Sequence, residues 1–143
     1  MAYFNSSVKP SIYIDVLLLI IRVFIGFAML SHGFPKLQML LEDGDSDFFK
    51  FLGLSSRVSL LLAVFAEFVC SMFLILGLFS RIALSFLIFT MLIAAFVVHG
   101  QHGFGKQELS LLYLCIYLLL IAFGSGKYSI DNMIQTRKKT SAW

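Results

Sequence analysis

Arg22 and Glu67 are the residues whose type and position most demand a chemical explanation. Each lies near the middle of a long apolar run, where an ionised side chain costs roughly 2.5–3.5 kcal/mol on insertion scales. Opposite charges at similar depth on consecutive antiparallel helices predict a buried ion pair, which either fixes how the helices associate or serves a site. At about 100° per residue, Arg22, Gly26, Gly33 and Lys36 share one helical face with His32 at its edge. Glu67, Cys70, Ser71 and Leu74 share another. Small residues beside a charge permit close helix approach, so both faces are expected to look inward.

Topology gathers further polar groups. If four runs each cross a membrane, the first ends on the far side from the termini with His32 and Lys36. The third ends there with His99, followed by His102, and the fourth begins there with Glu108. All three histidines, a lysine and a glutamate thus converge on one end of the bundle, whichever way it is oriented. Two imidazoles three residues apart in "HGQH" are within the repertoire of a transition-metal site. Lys36 would repel a cation, however, and His99 and His102 straddle a helix end, so no metal is assigned. Lysine, arginine and protonatable imidazoles suit an anion or the carbonyl oxygens of a quinone better, with imidazole and carboxylate available to pass protons. The ligand-binding or proton-relay candidates are therefore Arg22, His32, Lys36, Glu67, His99, His102 and Glu108, with Arg22 and Glu67 placed deeper along the same interior path.

The elements that position these residues are legible from composition. Of 143 residues, 59% are hydrophobic, 13% are charged and sixteen are phenylalanine, with a mean hydropathy of +0.92. A water-soluble domain of this length could not hide so much apolar surface, so the bulk solvent of this chain is lipid. Helices are expected at about 12–32, 57–79, 82–99 and 108–124, each near the roughly 17–25 residues needed to span the hydrocarbon. The runs lack the alternation of barrel strands, and a spanning segment must satisfy its own backbone hydrogen bonds. The fold expected is all-α: a single domain over residues 1–143, an integral membrane four-helix transmembrane bundle.

The first run carries Asp15 and Arg22 and ends without a small-residue cleavage pattern, so it reads as a retained helix and not a signal peptide. "MLSHGFPK", residues 29–36, marks its exit, with Pro35 removing a helical donor. The long first connection contains "SDFFKFLGL", where Ser46 or Asp47 could cap a short interfacial helix between helices one and two. "GLFSR" between helices two and three is so short that these helices must be adjacent and antiparallel. Positive charges number six on the side of the termini (Lys9, Arg81, Lys127, Arg137, Lys138, Lys139) against four on the other (Lys36, Lys50, Arg57, Lys106), which favours cytoplasmic termini. The terminal "RKK" reads as an anionic-lipid or orientation signal. Cys70 and Cys115 form no CxxC pair and read as small residues of a packed bundle. In "GSGKYSID" the glycines allow a left-handed cap, and Asp131 either caps the segment after it or pairs with Arg81 on the same side.

Three stretches together resemble the DoxX family of small four-helix bacterial membrane proteins: "RVFIGFAMLSHGFPK", "AEFVCSMFLILGLFSR" and "GSGKYSID". The matching positions are Arg22, Gly26, His32, Gly33 and Lys36, then Glu67, Gly77 and Arg81, then Gly124, Gly126, Tyr128, Ser129 and Asp131. The resemblance implies a multi-pass protein of the bacterial inner membrane. It also implies association with a thiosulfate:quinone oxidoreductase or with complexes that tether soluble redox enzymes against oxidative stress, and it carries no catalytic set across.

Three functions of different class are compatible with these residues. The first is a redox membrane subunit binding a quinone-like ligand, with the bilayer, a soluble redox partner or further copies of itself as partners. The second is a non-enzymatic scaffold or assembly factor. The third is a small solute or proton pathway, disfavoured by the absence of an inverted repeat or broken helix. No flavin, nicotinamide or iron–sulfur motif is present, and no nucleic-acid partner is expected.

Overall fold

The computed structural model describes residues 12–42, 49–50, 53–101, 103–124 and 126–140. Four helices are long and apolar enough to cross a membrane: α1 (Ile12–Leu41), α2 (Ser56–Leu76), α3 (Ser80–Val98) and α4 (Phe104–Phe123). A fifth, α5 (Ile130–Thr140), comes after the last span. Consecutive spans pack against one another, and α4 also touches α1, so the four spans form the expected bundle. Ser46 and Asp47, and most of the expected interfacial helix, lie outside the described residues, while Phe49, Lys50 and Leu54 are non-helical.

Lipid as solvent sets which residues face in. The core is made of Leu18, Ile25, Met29, Cys70, Leu74, Ala83, Leu84, Leu87, Met91, Tyr113, Tyr117 and Leu120. No described phenylalanine is buried; Phe24, Phe27, Phe86, Phe89 and Phe96 face outward. Because lipid tails are as apolar as leucine, burying phenylalanine gains nothing by hydrophobicity, and small residues are favoured where two helices approach closely. Cys70 obeys this rule, but Cys115, expected in the packed interior, is exposed on α4.

α1 does not stop at Pro35. It runs on to Leu41 with Pro35 inside it, nine residues past the expected end at His32. Proline removes the hydrogen bond to the Ser31 carbonyl, a loss that transmembrane helices tolerate when neighbouring groups compensate. Here α1 gains a close approach to α2 on either side of the proline. A Cβ at Gly33 would sit 3.0 Å from the Glu67 carbonyl carbon and the Phe68 nitrogen, so only glycine lets the two backbones meet at this depth. Lys36, one turn on, pairs with Glu67.

Two of the spans contain a turn of π-helix, Phe65–Val69 in α2 and Ala94–Val98 in α3. Each inserts a residue's worth of backbone into the ladder and swings the subsequent side chains round the helix axis. One holds Glu67 and the other runs into His99, so both distortions border the same interior region.

The base of the bundle, on the side of the termini, is closed by residues 126–131 folded against α1 and the α2–α3 turn. The Asp15 carboxylate accepts a hydrogen bond from the Lys127 amide at 3.0 Å, and Arg22 Nη2 donates to the Tyr128 carbonyl at 2.7 Å. Asp131 caps the start of α3, accepting from the Phe79 and Ser80 amides at 2.8 and 2.9 Å, and its own amide donates to the Gly77 carbonyl at 2.9 Å. Of the two roles open to Asp131 in the sequence, capping the segment after it or pairing with Arg81, neither is the one observed: it caps α3. Both carboxylate oxygens are spent on orphan helix amides, and Arg81 is exposed. Gly77 is left-handed (φ 69°), and a Cβ there would come within 2.7 Å of both Arg22 and Ser129.

Candidate functional site

At the opposite end of the bundle from this clasp, α1, α2, α3 and α4 line an open cleft of about 150 Å³. Its polar wall is formed by His32, Lys36, Glu67, His99, Ser110 and Tyr113, and its apolar wall by Met29, Met91, Ala94 and Leu109. Each polar group has an identifiable positioning element. Gly33 seats α1 on the π-turn of α2, which brings Lys36 over Glu67. The second π-turn carries α3 to His99, whose backbone nitrogen closes that turn on the Ala94 carbonyl at 3.0 Å. Gln107 then ties the end of α3 to α4, donating to the His99 carbonyl at 3.2 Å and to that of Gly100 at 3.3 Å. Ser110 and Tyr113 are one turn apart on α4. The Tyr113 ring meets His32 edge-on at 5.9 Å and lies 6.0 Å from Tyr117, which is fully buried.

The Lys36–Glu67 pair is the electrostatic centre. Lys36 Nζ donates to Glu67 Oε1, and the lysine side chain is 29% exposed whereas the glutamate is 5% exposed. The charge is therefore buried from one side and reached from the other. The second glutamate oxygen, Oε2, has no hydrogen-bond partner among the described residues, nor do Ser71 Oγ, one turn along α2, and the Tyr117 hydroxyl. Ser80 Oγ, in the clasp at the other end, is likewise without one, so what sets the Glu67 carboxylate apart is its place in the cleft beside His32, His99 and Tyr113.

Of the predicted candidates, His32, Lys36, Glu67 and His99 meet in this cleft. Three predictions are corrected. Arg22 is not the partner of Glu67: Gly33 is the residue opposite Glu67, and Arg22 lies eleven residues back, about 16 Å along the axis. Nor does Arg22 extend the cleft inward; it is part of the clasp at the other end. The physical reason is register. Depth counted from the ends of apolar runs takes the run's end for the helix's end, and α1 continues well past it. Glu108 is exposed and does not line the cleft, because α4 begins at Phe104 and its rotation presents Ser110 and Tyr113 instead. His102 lies outside the described residues.

Ser110 and Tyr113 are site residues that sequence reasoning missed. With Tyr117 and Leu120 they form an i, i+3, i+7, i+10 series, and that polar and aromatic stripe along an apolar helix was the available signal. Among the described residues no three His, Cys, Asp or Glu side chains cluster as metal ligands would. The predicted motif glycines are structural: Gly26 and Gly33 face α2, Gly77 seats Arg22, and Gly124 and Gly126 take positive φ after α4.

A four-span bundle with a polar cleft at one end defines an integral membrane protein that contacts lipid over its outer faces. A family model named DoxX matches residues 17–100, and the chain belongs to the DoxX family. The match runs from Leu17, within α1, to just past the end of α3, so Asp15 and residues 126–131 of the clasp lie outside it. Comparison with curated proteins and with solved structures returned no match.

Proposed function

We propose that this protein is a membrane subunit of a redox or oxidative-stress complex and that its cleft binds the head of a quinone-like ligand. The observation that carries this reading is the Glu67 carboxylate, buried in the bundle and bound to Lys36 through one oxygen, in a cleft that also holds two imidazoles, a hydroxyl and a phenol. The donor set fits a ring bearing carbonyl oxygens. Ser110, Tyr113 and His32 supply donors to such oxygens, and Met29, Met91 and Leu109 supply an apolar bed for the ring. His32, His99 and Glu67 are groups that hold or release protons beside it. A quinone, when bound, supplies two-electron chemistry, and electrons would come from a soluble partner. The setting proposed is the bacterial inner membrane with both termini cytoplasmic.

The test is saturable binding. Full-length protein in lipid nanodiscs is titrated with a short-tailed quinone, monitored by difference absorbance, and the lipids that copurify are extracted and examined for quinones. Saturable binding that weakens at least tenfold in His32→Ala and Tyr113→Phe, with unchanged thermal unfolding, is the expected result. Unsaturable partitioning identical in wild type and variants sinks the reading. It would then favour the scaffold alternative, in which His32 and His99 substitutions are silent and the faces of the bundle serve partner docking.

A further inference from the structure

The clasp fixes where α5 begins. Asp131 is bound to the Gly77 carbonyl and to the amides of Phe79 and Ser80. The first turn of α5 is therefore held at the level of the α2–α3 turn, where one span ends at Leu76 and the next begins at Ser80. That level is a membrane boundary. The aromatic residues found there, Phe79 (60% exposed) and Tyr128 (46%), project outward as rings do at the lipid–water interface.

Beyond its first turn α5 has almost no contact with the bundle, and residues 133–137 are all exposed. Its residues are nonetheless sorted. Helical spacing puts Ile130, Met133, Ile134 and Arg137 on one face and Asn132, Gln135 and Thr136 on the other. Met133 and Ile134 are 57% and 42% exposed, an apolar face with no cover from the described residues. The charge is sorted too: the one acidic residue of α5, Asp131, is consumed by the cap, while Arg137, Lys138 and Lys139 close the helix.

We propose that α5 is a docking surface for anionic lipid. It lies along the membrane on the side of the termini, with Met133 and Ile134 inserted at the acyl boundary and the basic end that opens at Arg137 turned to the headgroups. A helix anchored at the interface, apolar on one face and basic at its end, matches a surface that is apolar beneath and negatively charged above. The occupant is a lipid surface and not a soluble protein because α5 starts at interface depth, where a face turned to the bundle's own membrane is covered at once. This inference is independent of the cleft and its ligand.

The chain's single tryptophan, Trp143, stands three residues beyond α5 and serves as the probe. Full-length protein is reconstituted in nanodiscs of phosphatidylcholine alone and of phosphatidylcholine with phosphatidylglycerol, and quenching of Trp143 by neutral acrylamide is measured. The expected result is weaker quenching in the anionic discs, restored by high salt, which screens charge at short range. Arg137→Gln should lower the ratio of docked to undocked helix about fivefold, the share of one basic residue near an anionic surface. Met133→Ser with Ile134→Ser should abolish protection while leaving every basic residue in place. These positions lie outside the clasp, and unchanged unfolding confirms that the bundle is intact. Equal quenching in the two lipids, protection that survives high salt, or protection retained when Arg137, Lys138 and Lys139 are all glutamine overturns the proposal.

Discussion

Removing one partner of the Lys36–Glu67 pair should cost very different amounts according to which partner goes. The two side chains are 29% and 5% exposed, so they differ in their access to water once separated. Lys36→Met strands a carboxylate in the bundle interior, where leaving a buried charge uncompensated costs about 3–5 kcal/mol. Glu67→Gln leaves a lysine that can turn its ammonium towards the far membrane face, as long basic side chains near helix ends do. The expected loss is about 1–2 kcal/mol, the scale of a hydrogen bond to a charged group. Because the two changes remove the same interaction, the double variant should lose much less than the sum of the singles. Reversible unfolding of the four proteins in mixed micelles, read by tyrosine absorbance, measures all three quantities. Equal losses for the two single variants, or strict additivity in the double, would refute the placement of the pair and the asymmetry of its burial.

Further predictions concern the backbone and the clasp. Gly77→Ala should destabilise by about 2–4 kcal/mol, combining a left-handed backbone that costs roughly 1–2 kcal/mol with overpacking against Arg22 and Ser129, and a thermal scan in detergent reads it. Gly33→Ala should also destabilise, by about 1 kcal/mol, because the rigid backbone of Glu67 and Phe68 outweighs the gain in helix propensity; an increase in stability would show that α1 and α2 are not in contact there. Asp131→Ala should cost about 1–2 kcal/mol through loss of the α3 cap, with Asp131→Asn recovering part of it, whereas Arg81→Ala should stay within about 0.5 kcal/mol; the same thermal scan compares the three.

The four spans were legible because hydropathy reports the lipid directly, and the inward faces were legible because charge and small residues cluster at helical spacing. Arg22, Gly26 and Gly33 on α1 and Cys70, Ser71 and Leu74 beside Glu67 on α2 are all shielded within the bundle. The convergence of His32, Lys36 and His99 came from counting crossings alone. What could not be read was register. Hydropathy marks where the membrane ends and not where the helix ends, so the passage of α1 through Pro35 stayed hidden and Arg22 was matched with the wrong depth. The π-turns were hidden for a related reason: a one-residue insertion into the backbone ladder changes which way Glu67 and the end of α3 face without leaving a compositional trace. Asp131 reads in sequence as capping its own helix or pairing with Arg81, yet it caps a helix 51 residues earlier in the chain, a choice only tertiary structure makes.

The central claim, that the cleft between the four spans receives a quinone-like ring, is tested most directly by photolabelling. Full-length protein in nanodiscs is irradiated with an azidoquinone, digested and mapped by mass spectrometry. The predicted crosslinks are confined to the cleft-lining stretches, residues 29–36, 91–99 and 109–113 together with Glu67, and are suppressed by excess unlabelled quinone and by Tyr113→Phe. Labels scattered over the lipid-facing phenylalanines, such as Phe24 and Phe89, and unaffected by competitor would contradict it.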